Sequence, residues 1–123
     1  MNRIQPFPYS DTIRQLNHQK SGFLLRAQEL QKNGEVAGEA ILLFSKAAEI
    51  EMQIAHLLQD AEHENAIIHW VSAASCYMQA KNYQTALEQL DWVLTQPIPP
   101  RLRRDVEKFR RRCRHQIKDR LEG

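Results

Sequence analysis

Polar residues set inside an apolar helical face are the first candidates for chemistry in this sequence. Glu51 falls at the same helical angle as Ala47 and Leu58, within an apolar arc. Asn17 and Lys20 fall in one stripe with Ile13 and Leu24. A charge buried alone costs about several kcal/mol, so a partner is expected. If the chain folds back at about residue 34, Asn17 faces Glu51 and Lys20 lies one turn away. The spacing predicts a Lys20–Glu51 ion pair assisted by Asn17. Such a pair sets the register between two helices. A catalytic acid would need a pocket and a second titrating group.

His56, Asp60, His63 and Glu64 form a second group. On one continuous helix the first three share a face that could hold a metal. A helix boundary at Asp60 breaks that geometry. A di-iron bundle needs two Asp/Glu-x-x-His motifs and two further carboxylates, and the sequence holds one such motif here. A solvated turn is the expectation, with no metal and no cofactor.

The third group is a basic ridge. Arg104, Lys108, Arg111, His115 and Lys118 are spaced 4, 3, 4 and 3. They cover about 21 Å of one helix face. Arg110, Arg112 and Arg114 flank them. A solvated face is the first reading, a protein partner the second and nucleic acid the third. The ridge has no interleaved aromatics, and Phe109 belongs to the apolar stripe, so base stacking is not expected. Trp92 is the fourth candidate, a surface anchor on the polar side of its helix with Thr85, Gln89 and Gln96. Cover from Phe7 or Tyr9, or from the last helix, is the competing expectation. Gly-rich phosphate loops, GxSxG, HExxH and CxxC are absent from the sequence.

The elements that position these residues read as five helices. Ser10 and Asp11 open the first, and Ile13, Leu16, Lys20, Phe23, Ala27 and Leu30 form its stripe. Asn33-Gly34 ends it. The second runs from about Glu35 to Gln59, with Val36, Ala40, Leu43, Ala47, Ile50, Ile54 and Leu57 in one row and Ile41, Phe44, Ala48 and Ala55 beside it. So wide an arc touches neighbours on two sides. Asp60 is expected to cap the third helix, which carries Ile67, Trp70, Ala74 and Tyr77. After Lys81-Asn82 the fourth carries Tyr83, Ala86, Leu90 and Val93. Pro97, Pro99 and Pro100 break the chain, and the fifth carries Leu102, Val106, Phe109, Cys113, Ile117 and Leu121. Residues 1–9, with Pro6 and Pro8, read as an extended arm. No segment alternates like a strand.

Bulk properties bound the class. With 123 residues, 42% hydrophobic and 26% charged, the chain suits one soluble domain, residues 10–123. Its longest apolar run, residues 40–44, is far too short to span a bilayer. The first residues lack the apolar stretch of a signal peptide. Cys76 and Cys113 read as reduced core thiols of a cytoplasmic protein. Residues 1–100 hold 7 Lys/Arg against 11 Asp/Glu, a balance of −4. Residues 101–123 hold 10 against 4, a balance of +6.

Trp70-x2-Ala73-Ala74-x2-Tyr77, followed by Tyr83, Ala86-x3-Leu90 and Pro97, resembles the tetratricopeptide repeat. A weaker copy lies upstream at Ala40, Phe44 and Ala47. Glycine is missing at Ala74 and near Lys81, and Leu90 stands where the repeat has an aromatic. Residues 20–60 resemble more distantly the microtubule-interacting and transport domain. The repeat resemblance implies an all-α, right-handed stack of antiparallel hairpins, residues 11–59 and 60–96, closed by a capping helix at 100–121. It implies a non-enzymatic adaptor that binds a protein or peptide along Val71, Ser75, Met78 and Gln79. None of these is basic, so a clamp for a peptide's terminal carboxylate is not expected there. So few hairpins leave open ends, which makes a homo-oligomer an expectation. The alternative is electrostatic binding of nucleic acid or another anion by the basic ridge.

Overall fold

The computed structural model describes residues 11–34, 37–60 and 65–122, and all its regular structure is helical. The expected arm at residues 1–9, Ser10, Glu35, Val36, Glu62, His63 and Glu64 lie outside the described residues. The five helices are α1 (Asp11–Lys32), α2 (Ala37–Asp60), α3 (Ala66–Gln79), α4 (Tyr83–Leu94) and α5 (Pro100–Glu122). Each packs on the next in sequence, and α3 also touches α5. Among the described residues the α1 backbone runs close to α2 alone, while its side chains reach α3.

The wide apolar arc of α2 explains its place between two neighbours. Ile50, Ile54 and Leu58 pack with Ile13 of α1 and Ala66 of α3. Ala47 and Ala48 pack with Cys76 and with Phe23 and Leu24. Leu58, one residue beyond the row's last member Leu57, is wholly buried, and α2 ends one residue past the expected Gln59. Leu57 is partly exposed, and Asp60, expected to cap α3, is the last residue of α2. α3 starts after Asn65, whose side chain makes no capping hydrogen bond.

The α3–α4 turn is built without glycine. The Lys81 amide donates to the Met78 carbonyl and the Asn82 amide to the Tyr77 carbonyl, with Lys81 at φ 63°. This is the Schellman arrangement, in which a left-handed residue satisfies the last helical carbonyls. Asn82 then caps α4, its side chain accepting from the Thr85 amide. Beyond the prolines, Arg103 donates to the carbonyls of Leu94 and Gln96, placing positive charge at the C-terminal end of α4.

The second core lies among α3, α4 and α5. Ala74, Ala86, Leu90, Val93, Val106 and Cys113 are wholly buried there. Small residues at 74 and 86 let the hairpin close, and the larger ones fill around them. The α5 stripe holds as far as Ile117, but Leu121 is exposed because it lies beyond the start of α4. No described helix is long and apolar enough to cross a membrane.

Two substitutions test this packing in opposite directions. Ala86→Leu forces side-chain volume into a closed contact and is expected to cost about 1–3 kcal/mol. Gly22 sits mid-helix in α1 with open space where a Cβ would lie. Gly22→Ala is expected to add about 0.5–1 kcal/mol through helix propensity. Urea unfolding midpoints read both.

Candidate functional site

The most buried charge in the described chain is Glu51, 3% exposed, on the face of α2 between α1 and α3. Lys20 of α1 brings its Nζ to 3.3 Å from one carboxylate oxygen. His69 of α3 donates from Nδ1 to the other at 2.7 Å. The second partner is thus His69, in the role expected of Asn17. A hairpin register centred between Asp60 and Ala66 places residue 75 opposite Glu51, so spacing did not mark His69.

Burial alone would raise the Glu51 pKa. The hydrogen bond from His69 and the charges of Lys20 and His69 outweigh it, and the carboxyl is held below its ordinary range. The same carboxylate acts on its neighbour. Burial, then the negative charge of Glu51, pushes the Cys76 thiol up to about 11, only partly opposed by Lys20. Burial, then Asp91, raises Cys113 as well. Both thiols are free, and neither has the lowered pKa of a nucleophile.

Two open clefts meet at α3. The first runs between α1 and α3 over α2, bordered by Lys20, Gln28, Glu51, Ser72, Ser75 and Gln79. The second lies between α3 and α5, bordered by Ser75, Met78, Gln79, Phe109, Arg112 and His115. Ser75 and Gln79 border both, so the two clefts adjoin along α3. Met78 borders the second and also packs against the α3–α4–α5 core. Val71 packs against that core beside it.

Arg112 borders the second cleft, and Arg120 lies beside it over Tyr83, which does. The Arg112 guanidinium lies over the Phe109 ring, 5.5 Å from its centroid. Arg120 lies over Tyr83 at 5.3 Å. Neither has an acidic partner among the described residues. Phe109 is therefore half-buried with a guanidinium on its face, rather than wholly in the core. Arg110, by contrast, is spent on Asp91 of α4.

The ridge itself faces outward. Arg104, Lys108, Arg111 and Lys118 are exposed, and His115 reaches Asp119 one turn on at 3.4 Å. Of the five ridge residues only His115 also borders the cleft. Spacing found the ridge, gave Arg112 only as a flanking residue and did not single out Arg120, because what sets the two apart is the aromatic each one covers.

Trp92 is half-buried and packs on Trp70, with ring centroids 5.1 Å apart and planes tilted by 53°. His56 meets Trp70 edge-on at 4.9 Å. Among the described residues no three His, Cys, Asp or Glu side chains gather as metal ligands would.

No known protein family, characterised protein or solved structure matches this chain. The tetratricopeptide resemblance accordingly rests on the sequence pattern from Trp70 to Pro97 and its weaker upstream copy.

The Glu51 cluster has a measurable consequence. A carboxyl whose folded pKa is lowered contributes stability above its unfolded pKa. That contribution is lost as pH falls from the ordinary carboxylate range through the folded value. Glu51→Gln leaves Lys20 without its counter-charge and is expected to cost about 2–4 kcal/mol at pH 7. The variant also loses this part of the acid-side slope, so the two proteins converge in stability towards pH 3. Denaturant melts across pH 3–7 read the difference.

Proposed function

We propose that this chain is a non-enzymatic binding adaptor, stacked in the tetratricopeptide manner, whose α3–α5 cleft takes an acidic segment of a partner protein. The observation that carries this reading is the pair of aromatic-braced arginines. Arg112 and Arg120 lie over Phe109 and Tyr83 with no acidic partner among the described residues. An arginine held against a ring has lost much of its freedom before binding, while its N–H groups still point to a ligand. Carboxylates are the acceptors that such forks match. Ser75, Gln79 and Gln116 add neutral hydrogen-bonding groups, and Met78 adds an apolar contact. The fit is to an acidic peptide with at least one apolar side chain.

Three further features agree. α1 and α3 border one cleft and α3 and α5 the other, which suits a groove crossing the first helices of successive hairpins. Glu51 is neutralised from two sides and both thiols are held protonated, which suits structure better than catalysis. Free Cys76 and Cys113 suit a reducing, cytoplasmic setting.

The alternative is nucleic-acid or anion binding along Arg104, Lys108, Arg111 and Lys118, which are exposed and in line. The two rings near α5 are covered by guanidinium groups, so bases would have no face there to stack on.

Anisotropy of a fluorescein-labelled Asp/Leu decapeptide separates the two. The double variant Arg112→Glu, Arg120→Glu is expected to weaken binding at least ~10-fold, about 1.4 kcal/mol or more. The triple variant Arg104→Glu, Lys108→Glu, Arg111→Glu should weaken it less than the double variant, because none of these three side chains borders the cleft. An Asn/Leu peptide should not bind. The opposite ranking of the two variants, or tighter binding of single-stranded DNA than of the peptide, would overturn the proposal.

A further inference from the structure

Four helix ends meet at one end of the stack. α1 begins at Asp11, α2 ends at Asp60, α3 begins at Ala66 and α4 ends at Leu94. Ile13, two residues into α1, packs with Leu58 of α2 and Ala66 of α3. An aromatic notch lies at the same end. Trp70 and Trp92 stand against each other there, with His56 at the edge of Trp70. Gln59 and Glu88 also border it. Gln59 is one residue and Trp92 two residues from the end of its helix.

Both indoles are half-buried, so each keeps exposed ring surface. Trp70 Nε1 donates to Gln59 Oε1 at 3.1 Å. Trp92 Nε1 and Gln59 Nε2 are donors with no hydrogen-bond partner among the described residues. Glu88 stands exposed at the rim, one turn along α4 from Trp92. The notch thus presents ring surface, two open N–H groups and a carboxylate.

We propose that the chain's own residues 3–9 fill this notch, with Phe7 seated against the indoles. These residues lie outside the described ones and lead directly into α1. Asp11 to Phe7 is four residues, about 13 Å when extended. Packed helices are about 8–10 Å apart, so the segment can cross the end of α2 to reach the notch. Pro6 and Pro8 have no amide hydrogen, so the segment carries more acceptors than donors. Its carbonyls suit the open N–H groups of Trp92 and Gln59. Proline-flanked segments also dock on aromatic-lined grooves at low entropic cost. Arg3 is the one charged side chain in residues 1–9, and it lies four residues beyond Phe7. That spacing carries it along the notch to Glu88. The segment acts as an internal cover for an aromatic pair that would otherwise attract other molecules. The notch shares no bordering residue with the α3–α5 cleft, so this contact stands or falls separately from the binding proposal.

Trp70 and Trp92 are the protein's two tryptophans, so quenching of intrinsic fluorescence by acrylamide reads the notch. In the full chain, nuclear Overhauser contacts are expected between the Phe7 ring and the indole protons of Trp70 or Trp92. Phe7→Ala is expected to lower the covered-to-open ratio at least ~10-fold, read as stronger quenching. Arg3→Glu should strengthen quenching as well, and adding Glu88→Arg to it should restore the cover. Equal quenching of Phe7→Ala and the unaltered protein would overturn the proposal, as would Phe7 contacts confined to residues away from the notch. Contacts seen only between differently labelled copies would overturn it too, by giving the notch to a second molecule. A charge exchange that fails to restore the cover would overturn the Arg3–Glu88 contact.

Discussion

A carboxylate cannot stay ionised at 3% exposure unless other groups replace the water it has lost. Glu51 meets that requirement with Lys20 from α1 and His69 from α3, one on each oxygen. The cluster therefore ties three helices at one point. It also fixes the rotation of α3 about its axis. With His69 turned to Glu51, the next residue, Trp70, turns towards α4, and Ser75 and Gln79 border the clefts. α1 has no backbone contact with α3 among the described residues, so side chains meeting across α2 hold its place in the stack.

On the α5 side of α3, Arg112 and Arg120 rest on Phe109 and Tyr83 with no acidic partner among the described residues. The many arginines of α5 also divide by role. Arg103 closes the end of α4 and Arg110 holds Asp91, while Arg112 and Arg120 are braced on rings.

Helix positions were legible because apolar spacing and turn residues agreed. The stripe from Ile13 to Leu30 and the Asn33-Gly34 stop bound α1, and the three prolines separate α4 from α5. The Lys20–Glu51 contact was legible from hairpin register. Less was legible where an outcome depended on a third element. Spacing puts Asn17 beside Glu51, and the docking of α3 puts His69 on that carboxylate instead. Leu57 and Leu58 differ by one residue in the α2 row, and contact with Ile13 and Ala66 buries Leu58. Trp92 reads as polar-side and exposed on its own helix, yet Trp70 from α3 lies against it. The bracing of Arg112 and Arg120 left no trace in spacing, since a basic residue beside an aromatic one is common on any solvated helix.

The central claim is that the chain binds a partner in the cleft between α3 and α5 rather than along the outer ridge of α5. A two-dimensional ¹⁵N–¹H spectrum of the labelled protein, followed while unlabelled acidic peptide is added, tests it most directly. The account predicts shifts concentrated at Ser75, Gln79, Arg112 and Gln116, with the side-chain amide signals of both glutamines moving. Shifts that run along Arg104, Lys108, Arg111 and Lys118 while those four positions stay still would contradict it.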